Sequence, residues 1–176
     1  FRQVIFCEIL QLKHSGLAAA VANASGILDE FMPQDGILLG LAPHAPYSVS
    51  PALFQALRQL ADRRGCAFSC HVAEFAEEIR FLKEGGGELR ELFRKLNAYD
   101  EDWRPPGTSP LRYLDSLGTL DSMIAVHLNH IDEDMDLLRR KKMSAVFCPG
   151  SSRWFGRSQV MPARRLLDLG VAVGIG

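Results

Sequence analysis

Nothing in the 176-residue sequence approaches the ~20 consecutive apolar residues of a membrane-spanning helix, and no secretory leader is visible. Neither charge dominates. Twenty Lys and Arg stand against 21 Asp and Glu, a net charge of −1, which gives no electrostatic reason to expect nucleic acid or an anionic membrane as a partner. The one basic run, Arg139-Arg140-Lys141-Lys142, closes a helix-like stretch, where cations are at home near a helix C-terminus. The four cysteines form no Cys-x-x-Cys pair, which argues against a structural zinc finger; they read as buried free thiols and suit a reducing cytoplasm. No Gly-x-Gly-x-x-Gly turn follows the first strand-like run, and no Walker-type loop occurs. Gly85-Gly86-Gly87 follows a helical pattern and reads as its stop.

What is present is an ordinary globular composition, 47% apolar and 23% charged, and a regular alternation. Six short apolar runs read as buried strands: Val4 to Ile9, Ile37 to Leu41, Ala67 to Val72, Met123 to Leu128, Ala145 to Cys148, and Val171 to Ile175. They are nearly continuously hydrophobic, the pattern of parallel strands covered by helices. Helical patterns separate them: Leu17 to Phe31, Pro51 to Arg64 behind the capping Ser50, Phe75 to Lys83, Glu88 to Leu96, Pro110 to Leu117, Glu133 to Lys142 capped by Asp132, and Met161 to Leu169. This alternation predicts an α/β fold with a parallel sheet. At ~31 residues per β/α unit, the chain holds five to six units of an eight-unit barrel. An open doubly wound sheet is the competing architecture. The insertion from Asn97 to Ser109, with Trp103-Arg104-Pro105-Pro106-Gly107, reads as an excursion able to cover a pocket. The chain starts at Phe1 almost inside a strand and stops inside another, so residues 1–176 read as a single incomplete barrel domain of a longer protein.

Three of the strand runs deliver a histidine at or just beyond their C-terminal ends: His44 in Pro43-His44-Ala45-Pro46-Tyr47, His71 in His71-Val72-Ala73-Glu74, and His127 after Ala125-Val126. A lone histidine there is as readily a hydrogen-bonded core residue as a ligand. Glu74, three residues after His71, favours chemistry, because an imidazole and a carboxylate together can hold a metal and move a proton beside it. Alternation puts Ala67, Ser69 and His71 on one face of their strand and Phe68, Cys70 and Val72 on the other. Small residues suit a crowded barrel interior, so His71 is expected to face the axis. His127 is expected to share a face with Met123 and Ala125 and to meet the same mouth. His130 reads as a polar neighbour and His14 as structural.

In sequence order, Gly40-Leu41-Ala42-Pro43-His44-Ala45-Pro46-Tyr47, His71-Val72-Ala73-Glu74, Ala125-Val126-His127 and Cys148-Pro149-Gly150-Ser151-Ser152 resemble successive strand ends of the amidohydrolase superfamily. The branch they resemble is that of the chlorohydrolases and adenosine-type deaminases, including methylthioadenosine/S-adenosylhomocysteine deaminases. The loop Trp103 to Pro110 resembles that of aminodeoxyfutalosine deaminases. The resemblance implies a (β/α)₈ barrel of the metal-dependent hydrolase type, with strands three to eight present here. It implies His71 as a metal ligand, Glu74 as the proton shuttle to a substrate ring nitrogen, and His127 as the group that orients or polarises the attacking water. It places His44 and Tyr47 in the substrate pocket, and Arg153 and Trp154 on the loop after the fifth run as further substrate contacts. One divalent metal is implied, zinc first and iron as an alternative with the same ligands.

The family's first-strand His-x-His pair does not occur in these 176 residues, and the Thr-Asp after its last strand falls beyond Gly176. The segment alone is therefore expected neither to hold zinc well nor to catalyse, since a catalytic zinc usually needs three protein ligands. For the full-length protein the resemblance implies hydrolytic deamination of a purine-like base or nucleoside. It also implies a small heterocyclic substrate, a cytoplasmic location and a homo-oligomer. Two other readings stay open: the same site releasing chloride from a triazine, and a catalytically dead barrel piece that serves as a scaffold.

Overall fold

The computed structural model describes residues 3–32 and 36–176. Six strands form one parallel sheet: β1 (Gln3–Ile9), β2 (Ile37–Pro43), β3 (Ala67–Val72), β4 (Met123–His127), β5 (Ser144–Phe147) and β6 (Ala172–Ile175). Their spatial order is their chain order, β1 to β6, with every neighbouring pair parallel. A doubly wound sheet reverses its strand order at a switch point, whereas a barrel wall does not. The order is therefore that of a barrel arc, and each expected strand is present within two residues of its expected bounds.

Helices cover one face. In α1 (Leu17–Glu30), Leu17, Ala20, Val21, Ala24 and Leu28 recur at helical spacing and pack into the main core. In α2 (Pro51–Arg64), Leu53, Phe54, Leu57, Leu60 and Ala61 do the same. The Ser50 hydroxyl caps α2 by accepting from Leu53 N–H at 3.3 Å, Pro51 follows, and Gly65 ends the helix at φ 63°. Phe68, Cys70 and Val72 of β3 and Met123 and Ala125 of β4 face this core. The opposite face of β3 carries Ala67, Ser69 and His71, so alternation assigned that strand correctly. The first Cα pairing between β2 and β3 is Gly40 with Ala67, and the Gly40 position is tight: a Cβ there would lie 2.5 Å from a Phe6 ring carbon.

The remaining helices are α3 (Ala76–Glu84), α4 (Glu88–Lys95), α5 (Pro110–Ser116), α6 (Met135–Leu138), α7 (Pro149–Trp154) and α8 (Ala163–Asp168). The helix expected over Glu133 to Lys142 is shorter: a 3-10 turn at Asp132–Asp134 leads into α6. Asp132 makes no capping bond there. Asp134 is instead turned inward and fully buried, accepting from Ser109 Oγ at 2.8 Å beside Arg112 Nε at 3.1 Å. That buried network takes the place of a regular first turn. The short helix α7 was not expected; Pro149 at its first turn supplies the helical φ.

The segment from Asn97 to Ser109 is packed rather than draped. Tyr99 and Trp103 lie in a second apolar cluster with Leu12, Tyr47, Phe81, Leu82 and Tyr113, and the Trp103 ring stacks on Phe81 at 4.6 Å and 5°. Gly107 N–H ties the strap to Leu82 O at 3.0 Å.

Candidate active site

At the C-terminal edge of the sheet the backbone ladder continues past the strands. His44 N–H donates to Ile9 O at 3.0 Å, and His71 N–H donates to His44 O at 2.9 Å. This brings the His44 and His71 rings to 5.3 Å, edge to face. His44 Nδ1 lies 2.6 Å from Ser48 Oγ, whose hydroxyl also reaches Ala45 O at 3.3 Å. With the hydroxyl proton given to that carbonyl, Nδ1 carries the imidazole proton and Nε2 keeps its lone pair. Burial pushes the His44 pKa down, which favours the neutral ring. Tyr47 stands edge-on to His44 at 5.6 Å and to Phe75 at 5.5 Å, and burial pushes its phenol pKa up. It is a wall residue rather than an ionisable one.

His127 reaches the site by a different route from the one alternation suggests. The register pairs Val126 with His71 and His127 with Val72. In a regular strand, His127 would therefore point with Val72, Met123 and Ala125 into the helix-covered core, away from His71. Instead His127 has φ 78° and Leu128 φ 49°, both left-handed. The strand ends in a twist that carries the imidazole to the His71 side, where the two rings stack at 5.1 Å and 28°. The expectation that His127 and His71 meet is met; the expectation that Met123 and Ala125 share that face is not. Leu128 N–H, bonded to Val72 O at 2.9 Å, locks the twist. Burial lowers the His127 pKa, so the ring is neutral near pH 7.

The turn that carries Glu74 is held from three sides. Ala73 is left-handed at φ 52°. Asn129 N–H and His130 N–H both donate to Ala73 O, at 2.9 and 3.1 Å. The Asn129 side chain donates to Glu74 O at 3.0 Å. The buried Glu78 carboxylate accepts Ala73 N–H at 2.9 Å and Glu74 N–H at 2.8 Å. Desolvation pushes the Glu78 pKa up to about 8, against the pull of those two N–H groups. The Glu74 carboxylate then lies 3.3 Å from His127 Nε2 and accepts from Arg157, whose guanidinium also rests on the Phe155 and Phe75 rings.

Sequence reasoning missed Glu8, Glu78, Asn129 and Arg157. Glu8 was legible in principle: it lies on the same face of β1 as Phe6, and its carboxylate is 3.5 Å from His71 Nε2. Glu78 carried only the weak signal of an acid in a first helical turn. Of the residues expected to contact substrate, His44 and Tyr47 lie at this edge, while Arg153 and Trp154 are exposed, Trp154 to 85%. From that segment it is Arg157 that reaches the site, through its bond to Glu74.

The donor set suits a divalent ion in part. Ligand atoms of His71, Glu74 and His127 lie within 4.8 Å of one another, as do those of Glu8, His44 and His71. Nδ1 of His71 and of His127 are buried without a hydrogen-bond partner. Imidazole and carboxylate donors are those zinc takes, and His71 belongs to both groups.

The Amidohydrolase family profile matches residues 13–176. The chain belongs to the amidohydrolase family. A 5-methylthioadenosine/S-adenosylhomocysteine deaminase from Pelotomaculum thermopropionicum is 33% identical over 136 residues, 76% of this chain and 27% of the relative. An aminodeoxyfutalosine deaminase from Deinococcus radiodurans is 33% identical over 129 residues, 69% of this chain and 31% of the relative. This amidohydrolase chain thus spans under a third of the length of those two relatives. It superposes with a TM-score of 0.76 on the crystal structure of a zinc-bound adenosine deaminase from Xanthomonas campestris, 27% identical, covering all of this chain and 36% of that one. The barrel assignment stands on that superposition as well as on strand order. No helix among the described residues is long and apolar enough to cross a membrane.

Proposed function

We propose that the full-length protein is a metal-dependent hydrolytic deaminase of a purine-like base or nucleoside, releasing ammonia. The observation that carries this reading is the convergence of His44, His71, Glu74 and His127 at one edge of the sheet, with Glu74 3.3 Å from His127. The deaminase relatives above support the substrate class.

His71 would hold the metal, with further ligands supplied from outside residues 1–176. A divalent ion there, which we take to be zinc, supplies a Lewis acid that brings water within reach of ionisation near pH 7. Glu74 accepts a proton from the attacking water and delivers it to the ring nitrogen next to the amino-bearing carbon. It then takes the second water proton, from the hydroxyl of the adduct, and gives it to the amino group, which leaves as ammonia as the carbonyl forms. The neutral His127 ring orients the water and stabilises charge that develops as it adds. His44, with Nε2 free, contacts the bound heterocycle, and Tyr47 and Phe75 give it an apolar wall. The proposal includes residues 1–176 as a single incomplete barrel domain, a homo-oligomer as the assembled form and the cytoplasm as the compartment. The four free thiols, Cys7, Cys66, Cys70 and Cys148, support that compartment.

The test is ammonia release from a panel of adenine nucleosides and purines, with chloride release from chlorotriazines run alongside. Glu74→Gln in the full-length protein should keep its metal and lose ~100-fold or more in kcat, the usual worth of a positioned proton donor. His71→Ala should lower metal content. Undiminished turnover in the first variant, or full metal occupancy in the second, defeats the corresponding assignment.

A further inference from the structure

Glu78 is a buried acid. Its side chain is fully buried, and among the described residues its oxygens are bonded only to the N–H groups of Ala73 and Glu74. A glutamate at the third position of a helix ordinarily reaches back to the N-cap N–H. The N-cap of α3 is Phe75, and Glu78 passes it to take the two N–H groups that precede it. The target of this carboxylate is therefore the turn, not the helix end.

That turn does not hold itself. Ala73 sits at φ 52°, a conformation that residues with a Cβ avoid, between the metal-ligand candidate His71 and the acid Glu74. Asn129 and His130 grip its carbonyl side, and Glu78 grips its N–H side. Each N–H takes its own Glu78 oxygen, and in a glutamine one of those two positions becomes an NH2 group that cannot accept.

We propose that Glu78 is a positioning residue for proton transfer, its buried carboxyl group fixing the Ala73–Glu74 turn so that the Glu74 carboxyl is held beside His127. The proposal rests on the deaminase reading. Glu78 never touches substrate; it acts through where it holds Glu74. Misplacement of a reacting group by about 1 Å can cost ~100-fold in rate, so the clamp should be visible in kcat.

The experiment uses the full-length, metal-loaded enzyme and the near-isosteric Glu78→Gln. It should lower kcat by ~10-fold to 100-fold with metal content unchanged and KM moved by no more than about threefold. In a Glu74→Gln background, the same change should add less than about threefold, because the group it positions is already disabled. Losses that multiply in the double variant, or a kcat within about twofold of wild type in the single one, overturn the proposal. Amide hydrogen exchange gives a readout independent of turnover: Ala73 and Glu74 should exchange ~10-fold faster or more in Glu78→Gln, with the strand interiors unchanged. Unaltered exchange at those two amides also overturns it. Should the wild type release no ammonia from any purine, the deaminase reading falls, while the exchange measurement still judges the clamp.

Discussion

Replacing Trp103 by alanine in the full-length protein decides whether the segment between Asn97 and Ser109 is a movable cover or part of the core. Its sequence, rich in aromatic residues and prolines, suits either role. In the structure the indole is 8% exposed, lies flat on Phe81 at 4.6 Å and meets Tyr99 edge-on at 6.4 Å. A tryptophan of this kind removes roughly 200 Å² from water, worth about 5 kcal/mol at ~25 cal/mol per Å². That is an upper figure, since unfolded chains already bury part of the area. Truncation of buried aromatics in cores costs ~3–5 kcal/mol, and the expected loss lies in that range. Urea unfolding followed by far-UV circular dichroism measures it, and Trp103→Phe should recover roughly half by keeping a ring on Phe81. Substrate KM should hardly move. Stability within ~0.5 kcal/mol of wild type together with a raised KM would mean the strap is a lid, and the packing argument would be wrong.

Two other measurements probe the scaffold beneath the site. Gly40→Ala puts a methyl 2.5 and 2.7 Å from Phe6 ring carbons and 2.9 Å from the Ala67 carbonyl oxygen. The ring can yield but the backbone cannot, so ~1–3 kcal/mol should be lost. Gly26→Ala, in helix α1 with nothing within 4 Å, should gain ~0.5–1 kcal/mol; denaturant melts showing the same sign for both would refute the contrast. Cys70 is buried and its thiol pKa is raised well above the ordinary value by burial. It should resist iodoacetamide at pH 8 until denaturant is added, and mass spectrometry showing its alkylation in the native protein would contradict the packing of β3.

The sheet was legible because its strands are short, nearly continuously apolar and separated by helical segments, so apolar runs map onto strands almost residue for residue. Ser50-Pro51 and Gly65 marked both ends of α2 for the same reason: capping chemistry is local. The helix before β5 was not legible. Asp132 reads as the cap of a helix that starts at Glu133, yet a 3-10 turn occupies those residues and Asp134 is sequestered by Ser109 and Arg112 from a distant segment. Glu78 and Arg157 were hidden likewise. A glutamate early in an amphipathic helix and an arginine in a polar loop look like surface, and only tertiary packing brings them to the backbone and the carboxylate of Glu74.

His127 shows why the site could be located from sequence while its geometry could not. A strand-end histidine is a local signal, and three of them gave the edge. The face each presents depends on strict alternation, which holds only while the backbone stays extended. β4 breaks it at its last residue. Paired with Val72, His127 belongs by register to the core; at φ 78° it belongs to the site. Nothing in Ala125-Val126-His127-Leu128-Asn129 announces a left-handed residue, since none is glycine. The conformation persists because its neighbours are already committed: Leu128 N–H to Val72 O, Asn129 N–H and His130 N–H to Ala73 O. Those carbonyls belong to the His71–Glu74 turn, which is itself left-handed at Ala73. The two irregular turns therefore hold each other. The His127 and Glu74 side chains, one on each turn, are thereby fixed in mutual position.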